Sequence, residues 1–333
     1  MIIIRAPLRI SFVGGGTDIA SFYDKDPGQV LSATIDKYVY LSINSTPHID
    51  KVGAKYSITE LVDSPKDLEH KRIREALIDL DIKNNIEIGS FADIPSGTGL
   101  GSSSAFSVAL MRGLHTYKGI KIGREETAQQ ASKLEIDLCK EPIGKQDQYA
   151  SAYGGFNIFR FKKGGNVETE PIFIDYKKKT DLENSILLFY TGINRSASEV
   201  LSAQKDNMKN KHEILKEMAA QVPIFKDKLL KGDIEGMGKM MHDYWQKKKD
   251  SHSSNNIIDD LYDTGLRAGA WGGKLLGAGD GGCIMFIADL KKHNLISEAV
   301  LLKAQDLSME GFKQIPVSFV QSGVEVVFNS KGK

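Results

Sequence analysis

The sequence predicts an α+β protein in two parts. Strand-like and helical segments follow one another without regular βαβ alternation. The texture changes near residue 165, and 333 residues are enough to bury two cores. Apolar content of 41% and charged content of 26% are those of an ordinary globular chain. Forty-four basic against 43 acidic residues leave a net charge of +1, so no global field selects nucleic acid or an anionic membrane.

Taken in order, 2–4, 9–13, 30–34 and 38–43 are β-branched or aromatic runs punctuated by glycine or proline, and read as strands. Residues 66–80 read as helix and 85–91 as strand. Helices follow at about 104–117 and 124–139, the second opened by acidic residues, and 154–161 returns to strand. Beyond 165, 185–190 reads as strand. A long helical region covers roughly 196–250, broken near Pro223 and Gly232. A helix near 256–268, a glycine-rich stretch at 272–282, strand 283–288, helix 294–310 and strands 315–320 and 324–328 complete the chain.

The most informative segment is Pro95-Ser96-Gly97-Thr98-Gly99-Leu100-Gly101-Ser102-Ser103-Ser104-Ala105. A glycine-rich turn feeding a helix aims unpaired N–H groups and the positive end of the helix dipole at one spot, an anion cradle suited to phosphate. A flexible linker is the competing reading. Phe106, Ala109, Leu110, Gly113, Leu114 and Tyr117 recur with helical period and anchor the loop on one side, which favours the cradle.

Four other places stand out. A strand at 9–13 runs into Gly14-Gly15-Gly16-Thr17-Asp18, where three glycines point to close backbone approach by a ligand, or to a tight turn. Glu135 falls on the stripe of Ala128, Ala131 and Leu138. A carboxylate there takes a partner or a metal, or sits at the stripe's edge with its head in water. Residues 143–155 crowd Lys145, two amides, Asp147 and two tyrosines between glycines, a site or a polar helix face in equal measure. Residues 277–282 match GxGxxG, but a strand rather than a helix follows, so the dinucleotide reading fails. The GxxxxGK[ST] loop and the protein-kinase signatures are absent.

Together, RAPLRISFVGGGTD, PSGTGLGSSSA and KLLGAGDGGC, in that order, resemble the three motifs of the GHMP kinase family. The GGGTD form, with GKQDQYASAYGG after it, is similar to that of the D-glycero-α-D-manno-heptose 7-phosphate kinases. Galactokinase-like members carry a Glu-His pair where Gly15 and Gly16 stand, and fucokinase domains share the present form. The resemblance implies a ribosomal protein S5 domain 2-like N-terminal domain over 1–165 and a ferredoxin-like C-terminal domain over 166–333. It implies ATP with its phosphates on 95–105, Mg²⁺ held by Ser103 and Glu135, and Asp147 as base or orienter for the acceptor hydroxyl. Arg9 would stand beside Asp147 and neutralise developing charge. Gly15, Gly16, Thr17 and Asp18 would bind sugar hydroxyls, with Tyr153, Gly154, Gly279 and Asp280 also on the substrate side.

Ser196 and Glu199 form a capping-box pattern after Arg195. This helix start is expected either to hold the sugar's remote phosphate or to be an ordinary cap. The leading expectation is a Mg-ATP-dependent kinase of a heptose 7-phosphate. The alternatives are a GHMP kinase for another sugar such as L-fucose, or a non-catalytic sugar- and ATP-binding regulator. Two cysteines without metal spacing fit a reducing compartment, and no signal peptide or span is evident, so a cytoplasmic monomer or homodimer is expected.

Overall fold

Four of the expected strands are two. Segments 2–4 and 9–13 belong to β1 (Ile2–Val13), and 30–34 and 38–43 to β2 (Gly28–Ser45). The computed structural model describes residues 1–193, 208–249, 255–277, 279 and 281–330. β1 and β2 pair antiparallel from Ile2↔Ile43 to Val13↔Leu31, with register shifts between Pro7 and Arg9 and between Ser11 and Val13. Proline has no N–H for the ladder, and such a slip bends the strand and re-aims its side chains. Here it turns Arg9 toward the glycine loop, whose Leu100 carbonyl accepts the Arg9 N–H at 3.0 Å.

β2 serves two neighbours. Its second half pairs with β5 (Ile86–Ala92) and its first half with β6 (Phe156–Phe161). The hairpin of β3 (Val52–Lys55) and β4 (Thr59–Val62) extends the sheet beyond β5, β7 (Val167–Ile172) pairs with β6, and β12 (Glu325–Asn329) pairs with β1. The boundary expected at 165 thus falls within the turn of the β6–β7 hairpin, and β12 returns to the first sheet. β7, VETEPI, is a polar edge strand with little apolar alternation to mark it.

The second sheet is antiparallel, in the order β11 (Lys313–Gln314), β8 (Ile186–Tyr190), β10 (Cys283–Ile287), β9 (Gly272–Leu275). Its period of two feeds two cores. Leu187, Phe189, Ile284 and Phe286 join Trp245, Leu261 and Tyr262 on one side, while Leu188, Met285 and Ile287 face the core of the first sheet. The strand expected at 315–320 is reduced to one bridge, Ile35↔Phe319, in a stretch where Pro316 removes a ladder donor.

The helices are α1 (Ala20–Tyr23), α2 (Lys71–Asp79), α3 (Ser102–Tyr117), α4 (Arg124–Ser132), α5 (Gln146–Tyr153), α6 (Tyr176–Glu183), α7 (Met208–Lys231), α8 (Ile234–Lys249), α9 (Asn256–Arg267) and α10 (His293–Asp306). The expected stripe on α3 is wider than one face. Ala105, Ser107, Val108 and Met111 are buried too, because α3 lies against both β1 and β2. A side chain at Gly113 would meet Ile43 and Ile4 at 2.6 and 2.7 Å, so the helix rests directly on the sheet. Pro223 does not break α7; the helix ends before Gly232 instead. Proline leaves the carbonyl four residues back without its helical donor, and Gln29 Nε2 supplies one to Ala219 at 2.9 Å. Among the described residues no helix is long and apolar enough to cross a membrane.

Candidate active site

The 95–101 loop is pinned from two directions. Gly97, Gly99 and Gly101 alternate at φ near +76°, a left-handed backbone that glycine adopts without cost, while Thr98 and Leu100 between them are fully buried. Across the loop lies the third glycine-rich segment. A side chain at Gly99 would collide with the Leu276 carbonyl, one at Gly277 would reach the Gly99 Cα at 2.5 Å, and one at Gly282 would reach the Thr98 carbonyl at 2.6 Å. The two segments touch backbone to backbone, which explains glycines in both. As the sequence indicated, 277–282 leads into a strand, β10.

From the other side comes Arg9, whose side chain is 5% exposed. Its Nε and Nη2 donate to the two oxygens of Asp147 at 2.7 Å each, and Nη1 donates to the Gly99 carbonyl at 2.6 Å. Asp147 lies in the first turn of α5, 24% exposed, so the paired carboxylate opens to solvent above the loop.

The first glycine segment stands beside this pair. Asp18 is buried and accepts from the Gly16 N–H, the Gln146 N–H and Gln146 Nε2, each at 3.1 Å. Burial first, and then the Asp147 charge, raise its pKa. The Thr17 hydroxyl donates to Gly14 O at 2.8 Å and accepts the Gln29 N–H at 3.0 Å, so it is used inside the fold. Lys274 is buried and donates to the Phe12 carbonyl at 2.9 Å, with its ammonium 5.0 Å from the Tyr244 ring centroid. The third segment is thereby fastened to the end of β1.

Residues 69–155 match the GHMP kinases N terminal domain and residues 225–304 the GHMP kinases C terminal domain, together about half of the chain. The chain belongs to the GHMP kinase family. It is a small-molecule kinase, and the family implies ATP as phosphoryl donor. It is 29% identical to the D-glycero-alpha-D-manno-heptose 7-phosphate kinase of Campylobacter jejuni over 96% of this chain and 97% of that protein. A galactokinase of Pyrococcus furiosus is 24% identical over 90% of this chain and 92% of its own. The crystal structure of a D-glycero-D-manno-heptose 1-phosphate kinase from Bacteroides thetaiotaomicron shares the fold, with a TM-score of 0.80 at 24% identity over 97% of this chain and 98% of that one.

The kinase's other acidic group, Glu135, is wholly buried at the π-helical turn Lys133–Leu138 that continues α4. Arg72, at the start of α2, donates from Nε to Glu135 Oε1 at 3.1 Å and from Nη2 to Glu141 at 2.8 Å, and Gln148 Nε2 donates to Glu135 Oε2. Burial is the largest influence and raises the Glu135 pKa; Arg72, Ser104 and Gln148 oppose it. The serine that favours the charged form of Glu135 is Ser104, with Ser103 next to it in the first turn of α3. Among the described residues, buried Gln148 Oε1 beside the carboxylate and Thr98 Oγ1 in the loop have no hydrogen-bond partner. A buried carboxylate, serine hydroxyls and spare oxygens are hard donors that fit Mg²⁺, with Arg72 competing for one carboxylate oxygen.

Several expected residues are not brought together. Tyr153 ends α5, six residues and about 9 Å along the helix from Asp147, and its hydroxyl donates to Glu125 at 2.6 Å. Gly154 packs on Ser322 and Gly323. α5 thus carries Asp147 at one end and these two at the other. Arg195 and Asp280 lie outside the described residues; Gly279 lies within the third segment, at φ +117°. Sequence reasoning missed Arg72, Gln148, Ser11 and Tyr244. Arg72 lies in a segment read only as helix, and Tyr244 is 229 residues from the Gly15 carbonyl it touches.

Proposed function

We propose that this kinase transfers the γ-phosphoryl group of ATP to the anomeric (C1) hydroxyl of D-glycero-α-D-manno-heptose 7-phosphate. The product is the 1,7-bisphosphate, on the way to GDP-heptose and surface polysaccharide. The observation that carries the reading is the Arg9 fork, which binds the Asp147 carboxylate and the Gly99 carbonyl with one guanidinium. A hydroxyl at Asp147 then faces a phosphate held by the 95–104 loop.

The acceptor oxygen attacks the γ-phosphorus, its proton passes to Asp147, the bond to the bridging oxygen breaks, and ADP leaves. Arg9 orients Asp147 and offsets charge developing on the transferring group. The loop amides and the first turn of α3, from Pro95 to Ser104, cradle the phosphates. Glu135 with Ser103 would hold Mg²⁺, which would supply positive charge against the phosphates. Gly15 and Gly16 border the sugar. Arg195, Gly279 and Asp280 are assigned to the substrate side from sequence alone, Arg195 to the remote phosphate. Two buried thiols suit a reducing compartment, and we place the reaction in the cytoplasm.

The heptose assignment is supported by the end-to-end likeness to the Campylobacter jejuni enzyme and by bare glycines at 15 and 16. Phosphorus NMR of the product tests it. A new phosphate resonance coupled to the anomeric proton of the heptose is expected, and phosphorylation at any other carbon overturns the assignment.

A further inference from the structure

The three glycines at 14–16 have different reasons to be glycine. A side chain at Gly14 would run into the Gln29 carbonyl, and one at Gly16, at φ +95°, would press on Leu215 at 3.0 Å. Gly15 has neither constraint. Its backbone lies outside the left-handed region, and a Cβ there would stand 3.6 Å from Ser11 Oγ, 3.6 Å from the Tyr244 hydroxyl and 3.8 Å from Gln146 Nε2. Those are ordinary contacts, so the fold would accept alanine. What the missing side chain leaves is a small, partly open space rimmed by three polar groups.

Those groups have unused hydrogen-bonding capacity. Ser11 is 5% exposed and its hydroxyl has no partner among the described residues; the same holds for Gln146 Oε1. Among the described residues the Tyr244 hydroxyl has only a long 3.4 Å bond to the Gly15 carbonyl. A buried hydroxyl left unpaired is costly, a cost that a bound ligand would relieve. The neighbours expected to bind sugar are by contrast committed: Thr17 to Gly14 and Gln29, Asp18 to Gly16 and Gln146. Asp18 instead holds the Gln146 amide beside Gly15.

We propose that Ser11, Gln146 and Tyr244 form a neutral polar triangle over the bare Gly15 that receives one hydroxyl of the acceptor and sets which acceptor the kinase prefers. The triangle offers donors from Ser11, Tyr244 and Gln146 and acceptors from Ser11 and Gln146, the complement of an uncharged hydroxyl rather than of a phosphate. The inference rests on the kinase reading above and deepens it.

The test is steady-state kinetics of Gly15→Ala, Ser11→Ala and Tyr244→Phe with heptose 7-phosphate, L-fucose, D-galactose and mevalonate as acceptors. For whichever acceptor the wild type uses, each variant is expected to raise its KM about tenfold, Ser11→Ala and Tyr244→Phe by the loss of one hydrogen bond and Gly15→Ala by filling the space. The KM for ATP and the Tm of Gly15→Ala and Ser11→Ala should stay unchanged. Acceptor KM unaltered in Gly15→Ala and Ser11→Ala overturns the triangle, as does a lowered Tm with no change in KM. Wild-type preference for another acceptor overturns the heptose assignment while the triangle is still read on that acceptor. No turnover of any of the four overturns both.

Discussion

Arg9 holds Asp147 through two hydrogen bonds of 2.7 Å while its third nitrogen donates to Gly99 of the glycine loop at 2.6 Å. Segments 138 and 90 residues from Arg9 in sequence are thereby fixed in one geometry by one planar group. With Asp147 in the proposed role of proton acceptor, Asp147→Asn should lower kcat by about 10²–10⁴. Arg9→Lys keeps the charge but not the fork, and should lower kcat by at least about tenfold. Both are read by ADP release at saturating substrates. Near-wild-type kcat in Asp147→Asn would remove Asp147 from the chemistry.

The contact between the two glycine segments makes a stability prediction. Gly99→Ala must hold φ +75° and also displace the Leu276 carbonyl, whereas Gly119→Ala must hold φ +75° with nothing within 4 Å. The first substitution should cost about 3 kcal/mol and the second about 1 kcal/mol. Denaturant titration compares them, and equal costs would mean that the segments are not pressed together in solution.

Arg72 and Glu135 give a pH dependence. Burial raises the Glu135 pKa above its ordinary 4.5, while Arg72 pulls it down. Arg72→Ala leaves a buried carboxylate without its cation, which should cost about 3 kcal/mol near neutral pH. Because the folded pKa then lies still further above the unfolded one, the fold favours the protonated form. The penalty is therefore absent below about the unfolded value and grows as pH rises through the folded pKa. Chemical denaturation of the variant and the wild type from pH 4 upward should show the gap widening, and a gap constant with pH would contradict the pairing.

The two thiols should be silent. Burial pushes Cys139 up to about 11 and Cys283 up to about 12, and both are buried. Since the thiolate is the nucleophile, a maleimide at pH 8 should leave the native protein unlabelled and modify two sites after unfolding. Labelling of the native state would show that these positions open.

Much of this site was legible because its chemistry is local in sequence. The alternation of Gly97, Gly99 and Gly101 before a helix announces a backbone cradle, and Glu135 on a stripe with Ala128 and Ala131 allows a buried charge without deciding it. What stayed hidden was set by contacts between distant segments. Nothing around Arg72 shows that its guanidinium reaches Glu135, 63 residues on. The rest of the fold was lost where apolar patterning is weak: the polar hairpin of β3 and β4, the edge strand β7, and α7 running through Pro223 because Gln29 satisfies the freed carbonyl. That Asp147 and Tyr153 stand at opposite ends of one helix is likewise not marked by any local pattern.

The most direct test is ADP release by the purified kinase with Mg-ATP and, in turn, heptose 7-phosphate, L-fucose and D-galactose. The account predicts turnover with heptose 7-phosphate well above that with either other sugar, and its loss in Asp147→Asn. Turnover of L-fucose without turnover of the heptose phosphate would contradict it.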